Sequence, residues 1–378
     1  MSDTITRLRL VRTESVGPQT YRRLMARFGT ADAALDALPA LFRNAGRNRV
    51  PAIPSISAAR RELDRHAALG ARVVFLGDPD YPSPLAALPD APPMIAVAGD
   101  VSLLSKPIIA VVGARNASAN GRRLAEDLAA DLAERGFPVV SGLARGVDGA
   151  AHRGALRTGT TIAAIPGGMD KVYPPEHGEL QRDIARLGAV IAEAPPGTAP
   201  IARHFPKRNR IIAGLALGVV VIEAALRSGS LITARFAVEY GREVFAVPGS
   251  PLDPRARGGN DLIRQGAHLV ESAGDILLNL PLGIEAAAAA ATEMAVDEAG
   301  VAPEPVRPPA PAEPDGMELD AARDGIASLL SASPMTVDEI GRHCQFSPAA
   351  LSAALMELEL AGRIETLPGN RVGLIGAP

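Results

Sequence analysis

The chain has one cysteine, no tryptophan and, of its 39 basic side chains, only three lysines, Lys106, Lys171 and Lys207. A lone Cys344 excludes a disulfide framework and any multi-cysteine metal site. His152, His177 and His204 are scattered without the spacing of metal ligands, so no metal is expected. Aromatic residues make up 3% of the chain, too few for extensive stacking on bases. No stretch approaches about 18 apolar residues free of charge, and the opening MSDTITRLRL lacks the apolar core of a signal peptide. A cytoplasmic protein with no membrane partner is expected. Two nucleotide fingerprints are also missing. There is no GxxxxGK[ST], and the first glycine loop after a strand reads GARNAS rather than GxGxxG. P-loop hydrolysis and dinucleotide binding are therefore disfavoured, and no cofactor is expected.

What is present is a globular composition, 47% hydrophobic and 21% charged over 378 residues, with charge distributed unevenly. Residues 1–72 hold 13 arginines against six acids, a balance of +7, while residues 318–378 hold eight acids against four arginines, or −4. The basic end points to an acidic partner near the N-terminus. Residues 1–72 read as short helices. Gly17-Pro18 opens one with apolar residues at Tyr21, Leu24, Met25 and Phe28 and a stop at Gly29, the pattern of a helix-hairpin-helix or of a plain small helical bundle. Such a turn can aim backbone N–H groups at a phosphate.

Residues 73–283 alternate nine apolar strand-like runs with amphipathic helices, from Val73–Leu76 and Met94–Ala98 through to His268–Val270. Continuous apolar strands with helical crossovers predict an extended Rossmann-like, doubly wound parallel sheet, an α/β domain lengthened by two early strands. Residues 284–316 are a Pro/Ala-rich linker. Residues 317–378 read as three helices and a hairpin, a winged helix, with a capping box at Thr336/Glu339 and a presumed recognition helix over Ser347–Ala361. That helix carries Glu357 and Glu359 and no basic residue, so it would be repelled from a DNA groove, and a protein-contact role is favoured.

Ligand loops follow the strands of a parallel sheet. Here they read Gly113-Ala114-Arg115-Asn116, Ser141-Gly142-Leu143-Ala144-Arg145, Pro166-Gly167-Gly168-Met169-Asp170-Lys171 and Glu193-Ala194-Pro195, and the run His204-Phe205-Pro206-Lys207-Arg208-Asn209-Arg210 packs three cations beside an aromatic. Glycine lets the backbone approach a ligand, and the cations suit phosphates. Arg145 can alternatively pair with Asp148 and Arg210 with Glu223, while Glu193 and Glu223 can act as bases or as ion-pair partners. Asp148 and Asp170 read as helix caps, and Ser141 and Ser228 have no identifiable base.

In order and spacing, the motifs GARNAS, SGLARGVDGAAH, PGGMDKVYP, FPKRNRIIAGL, SGSLITA and VFAVPGS resemble the DNA-processing protein A (DprA/Smf) family. The resemblance implies a dimeric, non-catalytic protein that binds and protects single-stranded DNA and helps load the recombinase RecA during natural transformation. Carried onto this sequence, it implies contacts at Arg115, Ser141, Gly142, Arg145, Lys207, Arg208 and Asn209. The backbone donors of Gly167 and Gly168, together with Lys171, Phe205 and Arg210, complete the expected DNA-binding set. Phe205 would either stack on a base or belong to the core. The rival reading is an enzyme, since PGGMD with Glu223 downstream faintly resembles the PGGxGT loop of Rossmann-fold phosphoribohydrolases.

Overall fold

The computed structural model describes residues 2–44, 52–280, 316–330, 334–367 and 371–375. The expected linker, apart from Gly316, and the turn Pro368-Gly369-Asn370 lie outside the described residues.

Four helices come first: α1 (Ser2–Val11), α2 (Pro18–Phe28), α3 (Ala31–Asn44) and α4 (Ile56–Ala68). The start of α2 has a local cause. Gly17 is its N-cap, and Pro18 stands where no N–H partner is needed. Gly29, at φ 72°, ends the helix in a conformation that side chains avoid. Tyr21 and Leu24 then bury against Leu10, Leu38 and Phe42.

The central domain begins with β1 (Ala71–Phe75), α5 (Ser83–Ala86), β2 (Met94–Gly99) and β3 (Ile109–Gly113). It continues through α6 (Ala119–Glu134), β4 (Val139–Ser141), α7 (Val147–Thr158), β5 (Thr161–Ile165), α8 (Gly178–Leu187) and β6 (Ala189–Ala192). After α9 (His204–Leu215) come β7 (Gly218–Ile222), α10 (Ser230–Glu239), β8 (Glu243–Ala246), α11 (Arg257–Arg264), β9 (His268–Leu269) and α12 (Ala273–Leu278). The nine strands form one sheet in the order β1-β2-β6-β5-β4-β3-β7-β8-β9. From β6 to β9 every pairing is parallel. The two early strands differ from the expected all-parallel pattern: β2 runs antiparallel to both β1 and β6.

Period-two alternation sends each strand's side chains to two cores. Ala110, Val112, Val219 and Val221 face Ile211 and Leu215 of α9 and Phe236 of α10. Ile109, Val111, Val220 and Ile222 face Leu128 and Leu132 of α6 and Ala151 of α7. The chain winds outward from β3 through β6 and then returns to place β7 on the other flank of β3. The carboxyl ends of β3 and β7 therefore mark the topological switch point, where the loops splay apart and leave a crevice.

The last domain comprises α13 (Gly316–Leu329), β10 (Met335–Thr336), α14 (Val337–Cys344), α15 (Pro348–Leu360), β11 (Ile364–Leu367) and β12 (Arg371–Leu374), with the small sheet ordered β10-β12-β11. The Thr336/Glu339 capping box is formed, and Ser347 caps α15 ahead of Pro348. Ile326, Ile340, Leu355, Leu358 and Val372 make its core. Its α15, the presumed recognition helix, is not free: Met356 and Leu360 join the core of the N-terminal helices.

Candidate nucleic-acid interface

At the switch point the loops after β3, β4 and β7 and one side of α9 enclose a cavity of about 810 Å³. Its basic side chains are Arg115, Arg208, Arg227 and Arg255, and Phe205 and Asn209 face it from α9. Close backbone packing shapes the rim. A Cβ at Gly113 would come within 2.6 Å of Val147 Cγ2, so only glycine lets β3 turn here beside α7.

Arg115 is exposed, and its guanidinium lies over the Phe205 ring, 4.7 Å from the centroid. The ring in turn meets Tyr173 edge-on at 5.4 Å. One face of Phe205 is thus occupied by a cation held by the ring quadrupole. Among the described residues no carboxylate pairs with Arg115, so its charge is directed to the cavity. Gly142 is buried, and a Cβ there would fall inside the Arg208 guanidinium.

The cations of FPKRNR do not form one patch, because a helix turns about 100° per residue. Arg208 is 5% exposed and reaches beneath the sheet end, where it donates to the Gly142 carbonyl and, at 2.6 Å, to the Ala164 carbonyl. Burial pulls its pKa down to about 10, opposed by the neighbouring Asp148 carboxylate. Asp148 accepts the Ala144 N–H at 3.4 Å, and burial raises its pKa against the pull of Arg208. Arg210 is buried on another side, donating to Glu193 at 2.7 Å and to the Asp90 carbonyl. Lys207 is exposed and lines neither wall of the main cavity; it faces a separate groove with Arg210 and Glu193.

Other expected residues are also engaged within the protein. Ser141 is fully buried and donates at 2.6 Å to the Val111 carbonyl. The Gly168 N–H is not an open phosphate donor, because it donates to the Thr198 carbonyl at 3.0 Å. Gly167 is buried under the same loop, where a Cβ would stand 2.8 Å from the Thr198 carbonyl. Lys171 is exposed at the end of this loop. Arg145 is exposed but pairs with Glu176 rather than with Asp148, and the guanidinium holds the Glu176 carboxyl at a pKa of about 2. Asp170, expected as a helix cap, instead accepts the Gly197 N–H at 2.6 Å.

Arg210 pairs with Glu193 and not, as the sequence allowed, with Glu223. Glu223, at φ 48°, accepts the Ser118 N–H at 2.8 Å and its hydroxyl, tying the GARNAS loop to the end of β7. It does not line the main cavity, so it is poorly placed to act as a base there. Arg227 and Arg255 were not singled out from sequence. Arg227 precedes the Ser228-Gly229-Ser230 turn into α10, a position with a strand-end signal, whereas nothing local marked Arg255, which pairs with Asp253 at 2.8 Å. Among the described residues no group of three or more His, Cys, Asp or Glu could hold a metal, and no helix is long and apolar enough to cross a membrane.

The family described as DNA recombination-mediator protein A matches residues 72–281; its DprA-like N-terminal HHH domain matches 1–64 and its DprA winged helix domain 308–370. The chain belongs to the DprA/Smf family. The DNA processing protein DprA of Bacillus subtilis is 42% identical over 233 residues, covering 61% of this chain and 76% of that protein. The crystal structure of DprA from Streptococcus pneumoniae superposes with a TM-score of 0.60 at 34% identity, over 75% of this chain and 99% of that one. DNA processing protein A from Helicobacter pylori, whose structure describes a single-stranded DNA binding mode, gives a TM-score of 0.51 at 29% identity, over 56% and 95% of the two chains. The match to DprA/Smf makes this a recombination-mediator-type DNA-processing protein built on a mostly parallel sheet with helical and winged-helix flanks.

Proposed function

We propose that the protein binds single-stranded DNA along the switch-point cavity, protects it and helps load RecA onto it, without catalysing a reaction of its own. The observation that carries this reading is Arg115, exposed and laid over Phe205 at the mouth of a cavity whose other basic walls are Arg208, Arg227 and Arg255. A planar cation on an aromatic platform offers both a phosphate partner and a stacking face, the two things a single strand needs. Arg115, Asn209 and Lys171 are the proposed contacts from the expected set, joined by Arg227. Arg145 contributes where a phosphate displaces Glu176, and Lys207 serves the neighbouring groove. Ser141, Gly142, Arg208 and Arg210 act by shaping the walls, as do Gly167 and Gly168. The binding mode reported for the H. pylori relative supports the same ligand class. A homodimer through the central domain is proposed on the same grounds. It is supported by β9, which ends the sheet and leaves Leu269 51% exposed.

The test is a titration of labelled oligo-dT and of duplex at several salt concentrations. Preference for the single strand and a negative log–log salt slope are expected, since phosphate contacts release counterions. Equal affinity for duplex, or no salt dependence, refutes the assignment.

A further inference from the structure

The N-terminal excess of positive charge finds an acidic partner in this same chain. Glu359, near the end of α15, is seated at the N-terminus of α2. It accepts the Thr20 hydroxyl, lies 3.6 Å from the Arg23 guanidinium, and also accepts the Thr366 hydroxyl at 3.2 Å. Its Oε1 is 3.8 Å from the place a Cβ on Gly17, the N-cap, would occupy. Two residues earlier, Glu357 is 4% exposed, pairs with Arg323 of α13 at 3.2 Å and feels the positive field of Arg27 on α2. Beside this seam runs a groove of about 560 Å³ in which Lys207 of α9 and Glu365 of β11 both line the walls. A carboxylate thus sits where the positive end of a helix, a hydroxyl and an arginine would otherwise receive a phosphate. The acids of α15 and β11, which would repel a DNA groove, instead cover a cationic face of their own chain.

We propose that the winged helix is an intramolecular acidic cover, and that single-stranded nucleic acid and the winged helix compete for the face formed by the Gly17 turn, Arg23 and Lys207. This rests on the single-strand binding proposed above. The seam is built for release. Its apolar part is small, Met356 and Leu360, and its remainder is ionic and therefore weakened by salt and by a competing polyanion. Met356 belongs to this seam and not to the winged helix's own core, so the cover can lift without unfolding.

Two variants open the seam in the full chain from different sides: Glu359→Arg reverses the charge, and Met356→Asp spoils the apolar contact. Hydrogen exchange of residues 348–360 reads the docking directly, and oligo-dT titration reads the affinity. Saturating oligo-dT is expected to speed exchange in α15 of the unaltered protein at low salt. Both variants are expected to show fast exchange there without strand, and to bind oligo-dT at least about fivefold more tightly, the low end of ordinary coupling between sites. The proposal is overturned if α15 keeps its protection when strand is bound, or if the opened variants bind no more tightly than the unaltered protein. If the unaltered protein fails to bind oligo-dT at all, it is the binding function that falls, so the two failures are distinct.

Discussion

Arg208→Met separates a DNA contact from a structural tie. The guanidinium is 5% exposed and donates to the Gly142 and Ala164 carbonyls beside the buried Asp148 carboxylate. Methionine fills a similar volume but leaves two acceptors without a donor and one acid without its counter-charge. Breaking a buried pair by removing one partner costs about 3–5 kcal/mol. For a domain of this size each kcal/mol moves Tm by about 2–4 °C, so a fall of about 6–20 °C is expected. The loss should depend on pH. Burial already raises the Asp148 pKa, and Arg208 is the main influence lowering it, so the variant raises it further. A folded-state pKa above the unfolded one gives stability that is complete at low pH and lost as pH rises through the folded value. The gap between variant and unaltered protein should therefore be smaller at pH 5 than at pH 7.5. Adding Asp148→Asn should recover part of it, because removing both charges costs less than stranding one. Thermal unfolding followed by circular dichroism at the two pH values measures all of this. A variant with Tm unchanged within about 1 °C and oligo-dT binding abolished would refute the reasoning and make Arg208 a ligand contact.

Arg115→Ala should weaken oligo-dT binding by about tenfold, the loss of one stacking or phosphate partner, and reduce the salt slope by about 1 while leaving Tm in place. Gly154→Ala should do the opposite. Its Cβ would land on the Glu126 carbonyl where α7 crosses α6, costing about 1–3 kcal/mol of stability, with binding intact at temperatures where the chain is folded.

The strands were legible because most are apolar runs buried on both faces, β1 and the edge strand β9 being the exceptions, and all nine lie within two residues of where their composition places them. Strand direction was not. The sign that β2 reverses lies in the segment between β1 and β2, which carries Pro79, Pro82, Pro84, Pro89, Pro92 and Pro93 and only the short α5. A parallel return needs a crossover, usually helical, and this proline-rich stretch supplies none. Local chemistry was legible for the same reason as the strands. The Gly29 stop of α2 and the Thr336/Glu339 box depend only on neighbours within a turn. Ion pairs were not legible: Arg145 finds Glu176, 31 residues away, and Arg210 passes over Glu223 for Glu193.

The site itself shows why a cluster in sequence is not a cluster in space. On a strand or loop, Lys207, Arg208 and Arg210 could converge, but on α9 consecutive residues diverge by about 100° and the three charges leave in different directions. The helix must also bury Ile211, Ile212 and Leu215 against the sheet, which fixes its rotation and drives Arg208 and Arg210 inward. Inward cations then need acceptors, and the sheet end offers the Gly142 and Ala164 carbonyls and Asp148 to one, Glu193 and the Asp90 carbonyl to the other. Their positive charge is thereby spent on holding loop ends in register. The charge left for a ligand comes from residues that are scattered in sequence and brought together by topology: Arg115 after β3 and Arg227 after β7, whereas Arg255, before α11, is held by Asp253. Phe205 links the two sets, since the helix whose arginines lock the loops also presents the ring on which Arg115 rests.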